Sequence, residues 1–413
     1  MIVKMKILLK NCKLISMQES REKIEDDVDI LIENSYIKNI QKNIKDNDAK
    51  MINLKGKVVM PGFINTHAHV PMSLFKESVD GYVLQDWLEK KIWPIEDKLT
   101  SDDIYKYSKM TFDEMINTGT TFVNDQYFNT EDIIKAANDK KIRIELTRTL
   151  MDSDGNGMKR LDELKYILDK YDNYNTNITL NVGIHGLYTS NEKYIKEVTD
   201  FARQRNLKIH MHFCENEKEV EDIKREYNVK FPAQVLEKYF MGIKLILAHC
   251  VKLTNEDIDI FKKLDVSVSH CPVSNLKLGC GIAQVQKLID NGINVSLGTD
   301  GQGSGSNMDM FETMKFTALL QKGINENPMN MMSYDVIKLA TINGAKALGK
   351  EKEVGSIDIN KKADLIAIDL ESTCVNMPIN DIFSTIVYNA KGVNVKFLMV
   401  DGEILLDKIV LTK

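Results

Sequence analysis

Long apolar runs are missing from this chain of 413 residues. None approaches the roughly 20 uninterrupted apolar residues of a membrane helix, so a membrane-spanning role is not expected. An excess of positive charge is missing too. Lys and Arg total 55 against 60 Asp and Glu, a net charge of −5, which gives no electrostatic reason to bind nucleic acid or an acidic membrane surface. The six cysteines (Cys12, Cys214, Cys250, Cys271, Cys280, Cys374) include no C-x-x-C pair and are widely spread. A disulfide framework is not expected in a chain of this size, and the cysteines read as small buried hydrophobes in a reducing, cytoplasmic setting. The run Met1–Lys10 has lysines inside its apolar stretch and no small-residue cleavage site. It reads as a strand and not as a signal peptide. Internal repeats and low-complexity tracts are absent, and the Asn-rich patch Tyr171–Asn177 reads as a solvated loop.

Histidine is scarce, with only seven, and their placement is the most informative feature present. His67 and His69 follow the run Val58–Ile64, His185 closes Ile178–Ile184, and His210 and His212 lie in Leu207–His212. His249 ends Leu245–Ala248 and His270 ends Val266–Ser269. Imidazoles delivered by several strand ends to one place are how a barrel enzyme builds a metal site.

The apolar content of 43% and charged content of 28% are those of a soluble globular protein. Eight strands are predicted over Val58–Asn65, Thr120–Asp125, Ile142–Leu150, Ile178–Ile184, Leu207–Phe213, Leu245–Ala248, Val266–Ser269 and Ile293–Leu297. Segments of helical period separate them, among them Asp102–Asn117, Thr130–Lys140, Asn191–Arg205, Lys218–Tyr239 and Asn255–Lys263. This alternation predicts an α/β fold, a parallel (β/α)8 TIM-like barrel, over residues 56–350. Residues 1–55 and 351–413 carry short strands (Lys6–Ser16, Val28–Ile40, Ala363–Ile368, Val393–Val400, Glu403–Leu406) and a hairpin signal at Asp401-Gly402. Neither end can bury a core alone, so a small β-sandwich domain assembled from both termini is expected.

Residues two apart on a strand face one side, so His67 and His69 point together. His210 and His212 repeat the spacing, with Glu215 three residues beyond His212, and strand eight exits at Gly298-Thr299-Asp300-Gly301. His67, His69, His212 and Asp300 thus supply three imidazoles and a carboxylate, a set suited to Zn²⁺ or Fe²⁺ with a position left for water.

The run Pro61-Gly62-Phe63-Ile64-Asn65-Thr66-His67-Ala68-His69, with His212, His249 and Asp300, resembles the amidohydrolase superfamily. Within it the chain is most similar to the 5′-methylthioadenosine/S-adenosylhomocysteine deaminases. Trp93-Pro94-Ile95-Glu96, Ser269–Leu278, Leu297–Gly301, Gly355–Asp358 and Lys362–Ile366 carry that likeness over essentially the whole chain. The resemblance implies one divalent metal per subunit, zinc by default with iron as the other choice. Binuclear relatives have a bridging lysine or acid at the end of strand four, where this chain has His185. It also implies a hydrolase of cyclic C–N bonds that releases ammonia. Asp300 and His249 would orient water and take its proton, and Glu215 would protonate a ring nitrogen. On the substrate side Glu96 matches the acid that binds ribose hydroxyls, Arg148 and Arg160 match an arginine pair suited to a homocysteine carboxylate, and His185 would contact purine or ribose. Leu84 and Trp87 read as core or as the wall of a thioether pocket, and His210 and His270 as hydrogen-bonders behind the ligands.

The implied substrates are S-adenosylhomocysteine, methylthioadenosine, adenosine and 5′-deoxyadenosine. The alternative is guanine, a triazine or another amino-heterocycle, while a metal-free assembly scaffold would have lost the ligands. Relatives of this kind are commonly homo-oligomers. The chain departs from the family pattern at Gly183–Tyr188, at Gln302–Asn307 and at Lys76-Glu77, all on loops that face substrate.

Overall fold

The computed structural model describes residues 6–18, 20–21, 23–77, 80–373 and 376–409; Met1–Met5 and Cys374, named above, lie outside them. Strands β6 (Phe63–Ala68), β7 (Thr120–Tyr127), β8 (Arg143–Leu150), β9 (Ile178–Ile184), β10 (Ile209–Phe213), β11 (Leu245–His249), β12 (Val266–His270) and β13 (Asn294–Leu297) pair in parallel, each with the next. The seam between β13 and β6 is bridged by single bonds. The Asp300 N–H donates to the His67 carbonyl at 3.0 Å, and the Thr66 hydroxyl meets Ser296 at 2.8 Å and the Leu297 carbonyl at 2.9 Å. The result is a nearly closed eight-stranded barrel.

The strand expected over Val58–Asn65 divides in two. β5 (Val58–Pro61) belongs to a different sheet, and the chain enters the barrel only after Gly62. A Cβ at Gly62 would stand 2.1 Å from the Thr121 methyl, so only glycine permits this crossing. The helix expected over Lys218–Tyr239 also divides, into Glu217–Glu226 and Ala233–Tyr239. Asn228 lies between them with φ 49°, and Pro232 then starts the second helix.

Strands β1 (Lys6–Leu14), β2 (Glu25–Glu33), β3 (Tyr36–Gln41), β4 (Lys50–Asn53), β14 (Leu365–Ile368), β15 (Val395–Val400) and β16 (Glu403–Asp407) join β5 in a second sheet of eight strands. Both termini therefore build it, as expected, and they do so as one continuous hydrogen-bonded sheet. The period of two explains how it attaches to the barrel. Val59, Leu365, Ala367, Phe397 and Met399 face the sheet's own core, while Met60, Ile366, Ile368, Leu398 and Val400 join the barrel core. The β15–β16 turn falls at Asp401-Gly402, both residues with positive φ.

A buried ion pair fastens the two sheets. Arg143, at the foot of β8, donates Nε and Nη2 to both carboxylate oxygens of Asp364 at 2.7 and 3.0 Å. Replacing Arg143 by Ala leaves that carboxylate buried and unpaired, and is expected to destabilise the fold by about 3–5 kcal/mol. Urea unfolding of the variant against the parent reads this directly.

Candidate active site

The strand ends of the barrel do not simply fray into loops. Cys214, His249, Cys250 and Asp300 adopt left-handed φ of 51°, 71°, 50° and 64°. Other residues along the chain do so too, most of them Asn or Asp in turns, but these four stand together where β10, β11 and β13 end, and strain of this kind is stored at functional sites. The sharp turns swing Glu215, His249 and Asp300 inward over the barrel mouth.

His67, His69 and His212 place one ring nitrogen each within 4.8 Å of the others, and His67, His249 and Asp300 do the same. Hydrogen bonds fix the tautomers. His69 Nδ1 donates to the Gln126 carbonyl at 2.7 Å and His212 Nδ1 to the His185 carbonyl at 2.6 Å, so each turns its Nε2 to the centre. Those two Nε2 atoms stand 3.2 Å apart. Asp300 Oδ1 lies 3.4 Å from His67 Nε2 and 3.2 Å from His69 Nε2. Among the described residues the buried Nε2 of His67 has no hydrogen-bond partner, while its Nδ1 meets His210 Nε2 at 2.7 Å.

Donors held at about 2.0–2.1 Å around a tetrahedral zinc stand about 3.3 Å from one another. That is close to the separations of His69 from His212 and of Asp300 from His67 and His69, while His212 and Asp300 fall in different groups of three. The cluster also draws positive charge. Burial works against an imidazolium at His69, yet Asp300, the Gln126 carbonyl and Asp125 together outweigh it and hold the group up at about 9. Burial depresses His67 to about 4. A cation among these atoms satisfies the unpartnered nitrogen and the facing lone pairs together, so the residues present fit a divalent metal.

Next to the cluster, His249 Nδ1 donates to the Asn275 side-chain oxygen at 2.8 Å, which leaves Nε2 as an acceptor toward His67 and Asp300. Glu215 Oε1 lies 3.7 Å from His249 Nδ1 and accepts from the Cys280 thiol at 3.6 Å. Burial raises the Glu215 carboxyl above its usual range, so it favours holding a proton. The turn that carries it is clamped by Glu219, whose two oxygens accept from the Cys214 and Glu215 N–H groups at 2.9 and 2.7 Å. Asp300 Oδ2 accepts from the hydroxyls of Ser274 at 2.5 Å and Ser304 at 2.8 Å.

A cavity opens over these groups. Its polar lining is His69, Glu96, Gln126, Thr149, His185, His212, Glu215, His249, Asp300 and Ser304, with the hydroxyls of Tyr127 and Tyr188 on two of its aromatic rings. Glu96 ends a short helix, Trp93–Glu96, that follows a π-helical turn, Leu88–Ile92, and accepts from the Tyr127 hydroxyl at 2.5 Å. His185 lines the wall, and burial lowers it to about 4, so it is neutral. Leu84 and Trp87 are buried and line the cavity, so both readings of them hold together. His270 is buried with neither ring nitrogen bonded.

Arg148 and Arg160 are placed differently from the expectation. Neither lines the cavity. Arg148 gives Nη2 to Glu163 at 2.6 Å and Nη1 to the Thr149 carbonyl, and Arg160 grips both oxygens of Asp154 at 2.6 and 2.7 Å. Carboxylates within reach behind the wall hold both guanidinium groups there.

Sequence reading missed Glu219, Tyr127, Asn275 and Ser304. Ser304 lies in the departing loop after Asp300 and supplies a hydroxyl to that acid. The departure after His185 also has a local cause: a Cβ at Gly186 would stand 2.7 Å from the Tyr188 ring, which folds back against His185 with centroids 5.6 Å apart. Cys12, Cys214, Cys250, Cys271 and Cys280 are buried and free, and among the described residues no helix is long and apolar enough to cross a membrane.

Comparison with known proteins agrees with this geometry. Residues 58–405 match the model of the amidohydrolase family. The 5-methylthioadenosine/S-adenosylhomocysteine deaminase of Caldanaerobacter subterraneus is 38% identical over 410 residues, covering 98% of this chain and 94% of that protein. The 5′-deoxyadenosine deaminase of Methanosarcina acetivorans is 38% identical over 405 residues, covering 97% and 93%. A zinc-bound adenosine deaminase from Xanthomonas campestris superposes with a TM-score of 0.92 at 25% identity, covering 98% of this chain and 93% of that one. With a family match that spans most of its length and full-length relatives at this identity, the chain belongs to the amidohydrolase family.

Proposed function

We propose that this protein is a metal-dependent hydrolytic deaminase of adenosine-type nucleosides, with His67, His69, His212 and Asp300 holding one zinc ion. The observation that carries the reading is the convergence of three imidazole nitrogens and a carboxylate at the mouth of a cavity that is also lined by Glu215, whose carboxyl burial raises above its usual range, and by Glu96. The named activities of the full-length relatives support it.

A metal at this site supplies Lewis acidity that brings the pKa of water close to neutrality. The chain's own residues do the rest. His249 Nε2 and Asp300 orient the attacking water, and His249 can take its proton because Asn275 fixes the proton on Nδ1. Glu215 gives its proton to a ring nitrogen, which makes the amino-bearing carbon electrophilic. Water adds to that carbon, and His249 returns the proton it took to the amino group. The C–N bond breaks with loss of ammonia, and the new hydroxyl gives its proton to Glu215 as it becomes the carbonyl.

Glu96 separates a nucleoside from a bare base. With Oε1 engaged by Tyr127, its other oxygen is free to accept from ribose hydroxyls. The substitution Glu96→Gln is expected to cost about 1.5–3 kcal/mol of transition-state binding, about 10- to 100-fold in kcat/KM for adenosine derivatives. Steady-state ammonia release measures it. A change below twofold would favour a bare amino-heterocycle instead.

A further inference from the structure

We infer that this enzyme selects adenosines whose 5′ end is apolar, 5′-deoxy or a short thioether, over those with a carboxylate-bearing tail, and that Asp154 and Glu163 set the preference. The inference rests on the deaminase reading above. Leu84, Trp87, Leu88 and Ile92, on the segment that leads to Glu96, line the cavity together with Met72 and Met151, and all six are apolar. No lysine or arginine lines it among the described residues. A carboxylate brought to such a wall loses its hydration and gains no cation.

The cations that would answer it lie just behind the wall and are engaged. Arg148 stands over the ring of Phe128 at 5.8 Å and is bound by Glu163 and the Thr149 carbonyl. Arg160 makes a bidentate pair with Asp154 and donates to the Met151 carbonyl at 3.0 Å. Phe128, Thr149 and Met151 line the cavity, so each guanidinium lies against its rim, turned to its own acid. A tail carboxylate would have to share each guanidinium with a carboxylate already in place, whose charge repels it. It therefore gains less from them than from free guanidinium groups, against the desolvation it costs. An apolar 5′ end meets no such competition and buries its surface against Trp87 and its neighbours.

Asp154 and Glu163 have half-exposed side chains and do not line the cavity, so they can be changed without touching the reacting groups. The test compares kcat/KM for 5′-deoxyadenosine, methylthioadenosine and S-adenosylhomocysteine in the wild-type enzyme and in the D154N/E163Q variant. Wild type is expected to favour the first two by about 10-fold or more. The variant frees both guanidinium groups and is expected to narrow that ratio about 10-fold, through faster turnover of the homocysteine conjugate and with 5′-deoxyadenosine turnover nearly unchanged. Wild-type turnover of the homocysteine conjugate equal to or above that of 5′-deoxyadenosine would overturn the inference and leave the deaminase reading intact. An unchanged ratio in a folded variant would overturn the role of the two acids. Failure of every adenosine derivative would overturn the deaminase reading itself. If the double variant does not fold, the wild-type ratio and the single D154N variant still decide.

Discussion

Replacing Asp300 by Ala is expected to lower deamination by on the order of 10⁴-fold and to strip the protein of its metal. Asp300 is the one acid in the cluster, with Oδ1 at 3.4 and 3.2 Å from the Nε2 atoms of His67 and His69. Without it three neutral imidazoles face one another with no counter-charge for a divalent cation. Its second oxygen is fixed by Ser274 and Ser304, so the carboxylate is held in place before any ligand arrives. Metal content and ammonia release, measured on one preparation, read both effects. The losses should not add. Once Asp300 is gone, further loss of His212 removes little more, because both serve one ion. Losses that multiply would show that the two groups act separately.

Glu215→Gln is expected to cost about 10²–10⁴-fold in kcat with the metal retained, the range for loss of a positioned general acid. The amide keeps the size and the contact with Cys280 but has no transferable proton. The pH profile adds a second readout. Glu215 works protonated, and burial raises its pKa. In the wild-type enzyme kcat should therefore hold at low pH with respect to this group and fall as pH rises through the raised value. In Glu215→Gln that alkaline limb should vanish. A variant that keeps the limb would assign it to another group.

Much of this site was legible in the sequence because strands end where apolar runs end. Each histidine placed at such a point lands on the barrel mouth, as His67, His185, His212 and His249 do. The parallel order of the strands followed from their alternation with helical segments. What escaped were features without periodicity. The break at Gly62 lies inside one apolar run, and only the proximity of Thr121 shows why the chain changes sheets there. The clamp by Glu219 joins side chain to backbone across a turn, and nothing in its spacing from Glu215 marks it off from an exposed helical acid. The arginines are the sharpest case. Their residue type suggests a carboxylate ligand, but the acids that hold them, Asp154 and Glu163, lie on the same loop and helix and are reached only through side-chain geometry.

In the proposed function, one metal at the His67–His69–His212–Asp300 cluster enables the deamination of adenosine-type nucleosides. The most direct measurement strips the protein with a chelator, titrates zinc back, and follows ammonia release from 5′-deoxyadenosine. Activity should disappear on stripping and return in proportion to zinc, saturating at one equivalent per chain, while a His69→Ala variant should recover none. Full activity in the metal-free protein, or zinc binding at one equivalent with no deamination of any adenosine derivative, would contradict the account.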